Sequence, residues 1–208
     1  MTTDVLLVRH AQTHGNVNNL FCGHTETPLT ALGTAQARAL GRRLAPIRID
    51  AAVSSDLSRA ADTARHALDG RPVTVALDAR LREMHYGDWE ALEGKALGEQ
   101  HPELMREFFQ GKRPAPGGET IAQLRERTAS AIRELVDLHR GGTVMVVSHG
   151  NAIQAMLAEL LGLTIEATWT FAFDNASLTR LHFSQSGRLT VRSINDATHT
   201  EGLGELHA

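Results

Sequence analysis

The sequence predicts an α/β fold: a mostly parallel sheet with helices on both faces, in three layers. Two observations predict it. Short, unbroken apolar runs end abruptly in polar residues, as Val5-Leu6-Leu7-Val8 does at Arg9-His10 and Thr143–Ser148 does at His149-Gly150. Strands covered on both faces read in this way. Segments with helical apolar spacing lie between the runs, and strand–helix alternation builds parallel sheets.

In chain order, the first strand covers Val5–Val8. Thr30–Ala45 follows as a helix, with Leu32, Ala35, Ala39, Leu40 and Leu44 on one face and Thr30 as N-cap. Ala51–Ser54 is a weaker strand. Leu57–Leu68 is a helix behind Asp56, read as its cap. Glu119–Leu138 carries Ile121, Leu124, Thr128, Ile132 and Leu135 at helical spacing. After the strand at 143–148, Ala152–Leu161 is apolar nearly all round and stops at Gly162, as a buried helix does. Ser177–Phe183 and Arg188–Ile194 alternate and flank Ser184–Gly187, a hairpin pattern. The stretch 82–118, with Tyr86, Trp89, Pro102, Pro114 and Pro116, reads as an irregular insertion or lid. Residues 195–208 read as a polar tail, either disordered or draped over a site.

At 208 residues the chain suits one domain, and its 42% hydrophobic and 22% charged composition is that of an ordinary globular protein. A net charge of −3 gives no electrostatic footprint for nucleic acid or an anionic membrane. The single cysteine, Cys22, excludes a disulfide framework. No apolar run approaches the length of a membrane span. The first ten residues lack the pattern of a secretory leader, so the expected location is the cytoplasm. A homodimer is compatible with the sequence, which does not specify one.

Ligands of open parallel sheets bind beyond the carboxyl ends of the strands. Here that rim receives Arg9, His10 and His149, with Arg59 near the end of the weaker strand. Each histidine precedes a turn or helix start, where backbone N–H groups favour an anion. Forked cations, N–H donors and two imidazoles suit a phosphoryl group, and neutral imidazole is a nucleophile toward phosphorus. Singly, each residue has a plainer reading. A histidine after a strand is usually structural, Arg59 could be a solvated cation, Glu83 a surface carboxylate, and Tyr86 and Trp89 packing. His10, His14 and His24 match no metal-ligand spacing, so no metal and no cofactor is expected.

Together the residues resemble a known family. Leu7-Val8-Arg9-His10-Ala11-Gln12-Thr13, Asn16, Gly23 and Pro28-Leu29-Thr30 look like the opening signature of the histidine phosphatase (phosphoglycerate mutase-like) superfamily. Ser54–Ala60 with Thr63-Ala64, Leu81-Arg82-Glu83, Gly87–Glu90, Pro116–Thr120 and Ser148-His149-Gly150 are similar to its later blocks, in order. The resemblance runs from Val5 to about Ile194. It implies that His10 becomes phosphohistidine, that Arg9, Arg59 and His149 grip the phosphoryl oxygens, and that Glu83 protonates the leaving group. Asn16, Cys22, Gly23, Gly150 and Asn151 are expected on the substrate side; separately from the resemblance, His14, Phe21, His24, Tyr86 and Trp89 are expected to shape specificity. Ala11 stands where the family usually has glycine, a strained choice if that position requires positive φ.

The expected activity is hydrolysis of a phosphomonoester of a small soluble metabolite. The alternatives are a cofactor-dependent mutase and a silent phosphate-binding module. The mutases carry a longer middle segment with an Arg pair for the phosphoglycerate carboxylate, whereas the paired cations of the short segment here are Lys112-Arg113. A silent relative should have lost His10, Glu83 or His149, and all three are present.

Overall fold

The computed structural model describes residues 1–203. A single six-stranded sheet has the order β3-β2-β4-β1-β5-β6. The strands are β1 (Thr3–Arg9), β2 (Ala51–Ser54), β3 (Val75–Leu77), β4 (Thr143–Ser148), β5 (Leu178–Phe183) and β6 (Leu189–Asp196). β1 to β4 pair in parallel, and β5 and β6 add an antiparallel edge.

The one-turn helix α1 (His14–Val17) follows β1, and both central strands feed two cores. Val5, Leu7, Val144 and Val146 face α6 (Ile121–Leu138) and α7 (Gly150–Leu160). Leu6, Val8, Met145 and Val147 face α2 (Ala31–Leu44) and α3 (Ser58–Ala67). Alternate side chains point to opposite faces of a strand, so a run that is apolar at every position requires helices above and below. That is the three-layer arrangement. No helix among the described residues is long and apolar enough to cross a membrane.

Local chemistry explains the helix ends. The Thr30 hydroxyl accepts from Gly33 N, and Thr120 forms a reciprocal capping box with Gln123 at the start of α6. All five residues expected on the buried face of α6 are buried. On α2 the buried face is Gly33, Ala37, Leu40 and Leu44 with Ala39; Leu32 and Ala35 lie at its margin. Asp56 does not cap α3. Leu57 occupies that position without a side-chain bond, while the Asp56 carboxylate takes a bidentate pair from Arg82 at 2.7 and 2.6 Å.

The segment 82–118 is not irregular. It contains two short helices, α4 (Gly94–Gln100) and α5 (Pro102–Phe109), and a 3₁₀ turn at Gly87–Trp89. Pro102 starts α5, a position where its missing N–H costs nothing. Met84, Tyr86, Trp89, Leu97 and Phe108 are buried together against Ile121, Leu124 and Ala152, so the segment has a core of its own on α6 and α7.

The expected tail also begins later than residue 195. β6 continues to Asp196, and a 3₁₀ turn at Thr198–Thr200 packs on α2. There His199 Nε2 meets the Ala176 carbonyl at 3.0 Å. Residues 204–208 of that tail lie outside the described residues.

Candidate active site

The register of β1 on β4 pairs Arg9 with Ser148, which sets His10 and His149 side by side beyond the strand ends. His10 N donates to the Ser148 carbonyl at 2.9 Å, and the two imidazole centroids stand 5.1 Å apart. Beside them opens a cavity of about 240 Å³ lined by Arg9, His10, Arg59 and Glu83, with Asn16, Cys22, Gly23, Gly150 and Asn151 on its walls. This volume lies below the roughly 300–1,000 Å³ of pockets for drug-sized ligands.

The hydrogen bonds fix the tautomer of His10. Its Nδ1 lies 2.8 Å from the Ala11 carbonyl, which can only accept, so Nδ1 carries the proton and Nε2 keeps its lone pair. Burial first, then Arg59 and Arg9, hold the ring well below the usual histidine range. His10 is therefore neutral near pH 7. Its carbonyl accepts from Ala176 N at 3.1 Å and Asn175 Nδ2 at 3.2 Å, which fixes the backbone behind the ring. Ala11 causes no strain: it is not among the residues with positive φ, and its N–H donates to Thr63 Oγ1 at 3.0 Å.

The two guanidiniums are anchored differently. Arg9 Nη1 donates to the Phe173 carbonyl, while its buried Nε has no partner among the described residues. Arg9 lies over Gly150, where an added Cβ would come 3.4 Å from Nε. Arg59 donates through Nη2 to Gly23 O at 2.7 Å, through Nη1 to Thr25 O at 3.0 Å and through Nε to His149 Nδ1 at 3.2 Å. Gly23 has φ +50°, and a Cβ there would meet the Glu90 carboxylate at 2.2 Å.

His149 is placed differently from the expected grip. Its Nδ1 accepts from Arg59 and its Nε2 donates to Ser55 Oγ at 2.8 Å, so both ring nitrogens are engaged. It is fully buried and does not line the cavity. Contact with a phosphoryl oxygen would require the ring to leave one of these partners.

Glu83 occupies the N-terminus of α7. Its Oε1 accepts from Met84 N at 2.8 Å and Ala152 N at 2.9 Å, and its Oε2 accepts from Asn151 N at 3.2 Å. Two of the α7 donors that the sequence assigned to an anionic ligand therefore hold this carboxyl instead. Arg127 on α6 fixes the chain behind it, donating to the carbonyls of Arg80, Arg82 and Glu83 while paired with Glu119.

Asn16 and Asn151 line the wall, and Phe21 and Tyr86 join them. Burial pushes the Cys22 thiol up, so it lines the cavity as a neutral group. Three of the expected specificity residues are elsewhere. His14 is exposed, His24 Nε2 is turned to the Glu83 carbonyl at 3.0 Å, and Trp89 is buried in the segment's own core. Sequence reasoning missed Thr13, Leu20, Gln154 and Phe173 on the wall. Gln154 was within reach, because it lies four residues after Gly150 on one helix. Among the described residues no group of three or more His, Cys, Asp or Glu is placed to hold a metal ion.

An α/β sheet with a neutral imidazole and two anchored arginines at its carboxyl rim defines a phosphoryl-transfer enzyme. Residues 5–197 match the family model of the histidine phosphatase superfamily (branch 1), and the chain belongs to that superfamily. It is 31% identical over 199 residues to a putative phosphoserine phosphatase 2 of Hydrogenobacter thermophilus, covering 95% of this chain and 97% of that one. It is equally 31% identical over 210 residues to a probable phosphoglycerate mutase of Salmonella choleraesuis, covering 97% and 98%. Among solved structures, the alpha-ribazole phosphatase from Shigella flexneri superposes with a TM-score of 0.84 at 30% identity, covering 93% of this chain and 96% of that one. The chemistry of the chain is that of a phosphatase.

Proposed function

We propose that this protein hydrolyses phosphomonoesters of small metabolites through a phosphohistidine at His10. The observation that carries the reading is the meeting, at one cavity, of His10, whose Nε2 keeps its lone pair, with the guanidiniums of Arg9 and Arg59.

In the first step His10 Nε2 forms the P–N bond as the ester P–O bond breaks. Glu83 delivers a proton to the departing oxygen. Its Oε2, with one long bond from Asn151 N, is the oxygen left to carry that proton. In the second step Glu83 takes a proton from water, the hydroxide oxygen bonds phosphorus, and the P–N bond breaks to release phosphate and restore His10. Arg9 and Arg59 meet the charge on the equatorial oxygens, which supplies most of the stabilisation in phosphoryl transfer. His149 holds Arg59 in place.

The test is a brief incubation with a ³²P-labelled monoester followed by peptide mapping. Label on His10 that survives alkali and is lost in mild acid supports the reading. Label on a hydroxyl side chain, or undiminished turnover in His10→Ala, removes it.

A further inference from the structure

We infer that the alcohol released by this enzyme is neutral and hydroxylated, a polyol or sugar, and not a carboxylate-bearing acid. This rests on the phosphatase reading above and adds the substrate class.

The first argument is charge. Among the described residues, the cationic side chains lining the cavity are Arg9 and Arg59, and both are near enough to His10 to disfavour its protonation. Other cations in the neighbourhood are committed: Arg82 to Asp56, and Arg127 to Glu119 and three carbonyls. Lys112 and Arg113 are exposed and absent from the wall, and Arg113 turns to Glu107. Glu83, the remaining charged residue type on the wall, has no positive form. A carboxylate on the leaving group would give up its water and find no counter-ion.

The second argument is hydrogen-bond sense. Asn16 Oδ1 is already taken by Thr13 and by Asn175 Nδ2 at 3.1 Å, so this amide offers the cavity its NH₂. Gln154 is oriented the other way. Its Nε2 donates to Asn151 Oδ1 at 3.1 Å, and among the described residues nothing takes up its Oε1. Tyr86 Oη accepts from Asn151 Nδ2 at 2.6 Å, which leaves its own hydrogen to donate. The wall therefore presents donors and an acceptor together. A hydroxyl, which does both, fits it; a carboxylate, which only accepts, leaves Gln154 Oε1 facing negative charge.

The test uses a matched pair. sn-Glycerol 3-phosphate and 3-phosphoglycerate share a skeleton and differ in carrying CH₂OH or COO⁻. The kcat/KM of the full-length protein is measured for both, with p-nitrophenyl phosphate as reference. We expect glycerol 3-phosphate to be favoured by at least about tenfold. In Gln154→Arg, which supplies the missing cation, the ratio should shift toward 3-phosphoglycerate. Equal rates or a preference for 3-phosphoglycerate in the unmodified protein, while p-nitrophenyl phosphate is turned over, overturn the inference and leave the phosphatase reading standing. Failure to hydrolyse p-nitrophenyl phosphate at all would strike the phosphatase reading, and this inference with it.

Discussion

Arg59 Nε donates to His149 Nδ1 at 3.2 Å, so the second histidine faces a guanidinium while its other nitrogen is turned to Ser55. The pair forms one unit in which the ring orients the cation that lines the cavity. Removing Arg59 should lower kcat/KM by about 10²–10³, the usual loss for one stabilising donor. His149→Ala should act through the same route, by releasing Arg59 Nε. In a double-mutant cycle, the double variant should then be no slower than Arg59→Ala alone. Losses that multiply would show that the His149 ring contacts the phosphoryl group independently.

The two buried imidazoles also couple stability to pH. Burial first, then the neighbouring arginine Arg59, hold both His10 and His149 well below the ordinary value of 6.5. In the unfolded chain these rings take up protons as pH falls through about 6.5, while the folded protein does not. The unfolded state then binds more protons, so stability is full above that pH and declines below it. Each ring contributes a slope approaching about 1.4 kcal/mol per pH unit in that window. Urea unfolding at pH 7.5 and pH 5.5 measures the decline, and His149→Gln should make it shallower. An unchanged pH dependence in that variant would place the coupling elsewhere.

Gly23 is constrained twice, and the constraints can be separated. Its φ of +50° costs a residue with a Cβ roughly 1–2 kcal/mol. A Cβ would also collide with Glu90, whose carboxylate holds His24 N at 2.8 Å and Thr25 Oγ1 at 2.8 Å. Burial opposes the charge on Glu90, yet these donors hold its carboxyl below the usual range. The same loop presents Gly23 O and Thr25 O to Arg59. Gly23→Ala should therefore cost at least about tenfold in kcat/KM together with a lower Tm. Asparagine tolerates this backbone conformation but keeps the Cβ, so Gly23→Asn should restore little of the activity. Full recovery in Gly23→Asn would show that only the dihedral angle matters.

The parts of this protein that were legible in the sequence are those whose chemistry is local. β1 and β4 stand out because burial on both faces makes every position apolar, and their abrupt ends mark the rim. α6 shows its periodicity over a full 18 residues. β3 is hidden, since it has three residues and Leu77 is exposed. α4 and α5 are hidden because each shows only a turn or two of apolar spacing and Pro102 resembles a break. In the site, the motif blocks name His10, Arg9, Arg59 and Glu83. The contribution of Phe173 is a backbone carbonyl given to Arg9, which no reading of side chains reveals. The orientation of His149 depends on Ser55 and Arg59, both distant in the chain, so it emerges only with the fold.

Glu83 carries the assignment that the cycle depends on most. An alkoxide leaves poorly, so attack by His10 on an alkyl ester requires a proton at the bridging oxygen. Glu83 stands on the cavity wall, positioned by Met84 N, Asn151 N and Ala152 N. Glutamine at this position can keep its carbonyl oxygen on the two shorter bonds, from Met84 N and Ala152 N. Its amide nitrogen then faces only the longer contact from Asn151 N. The shape is retained and the transferable proton is lost. General acid–base catalysis contributes about 10²–10⁴-fold, so Glu83→Gln should lose that much on glycerol 3-phosphate. p-Nitrophenolate departs without a proton, so loss on p-nitrophenyl phosphate should be small in the phosphorylation step. Glu90 provides the contrast. Its bonds support the 22–25 loop and Tyr86 N, so Glu90→Ala should slow both substrates alike. If Glu83→Gln also slowed both substrates alike, Glu83 would be a positioning residue at the head of α7, and the proton donor would have to be sought elsewhere on the wall.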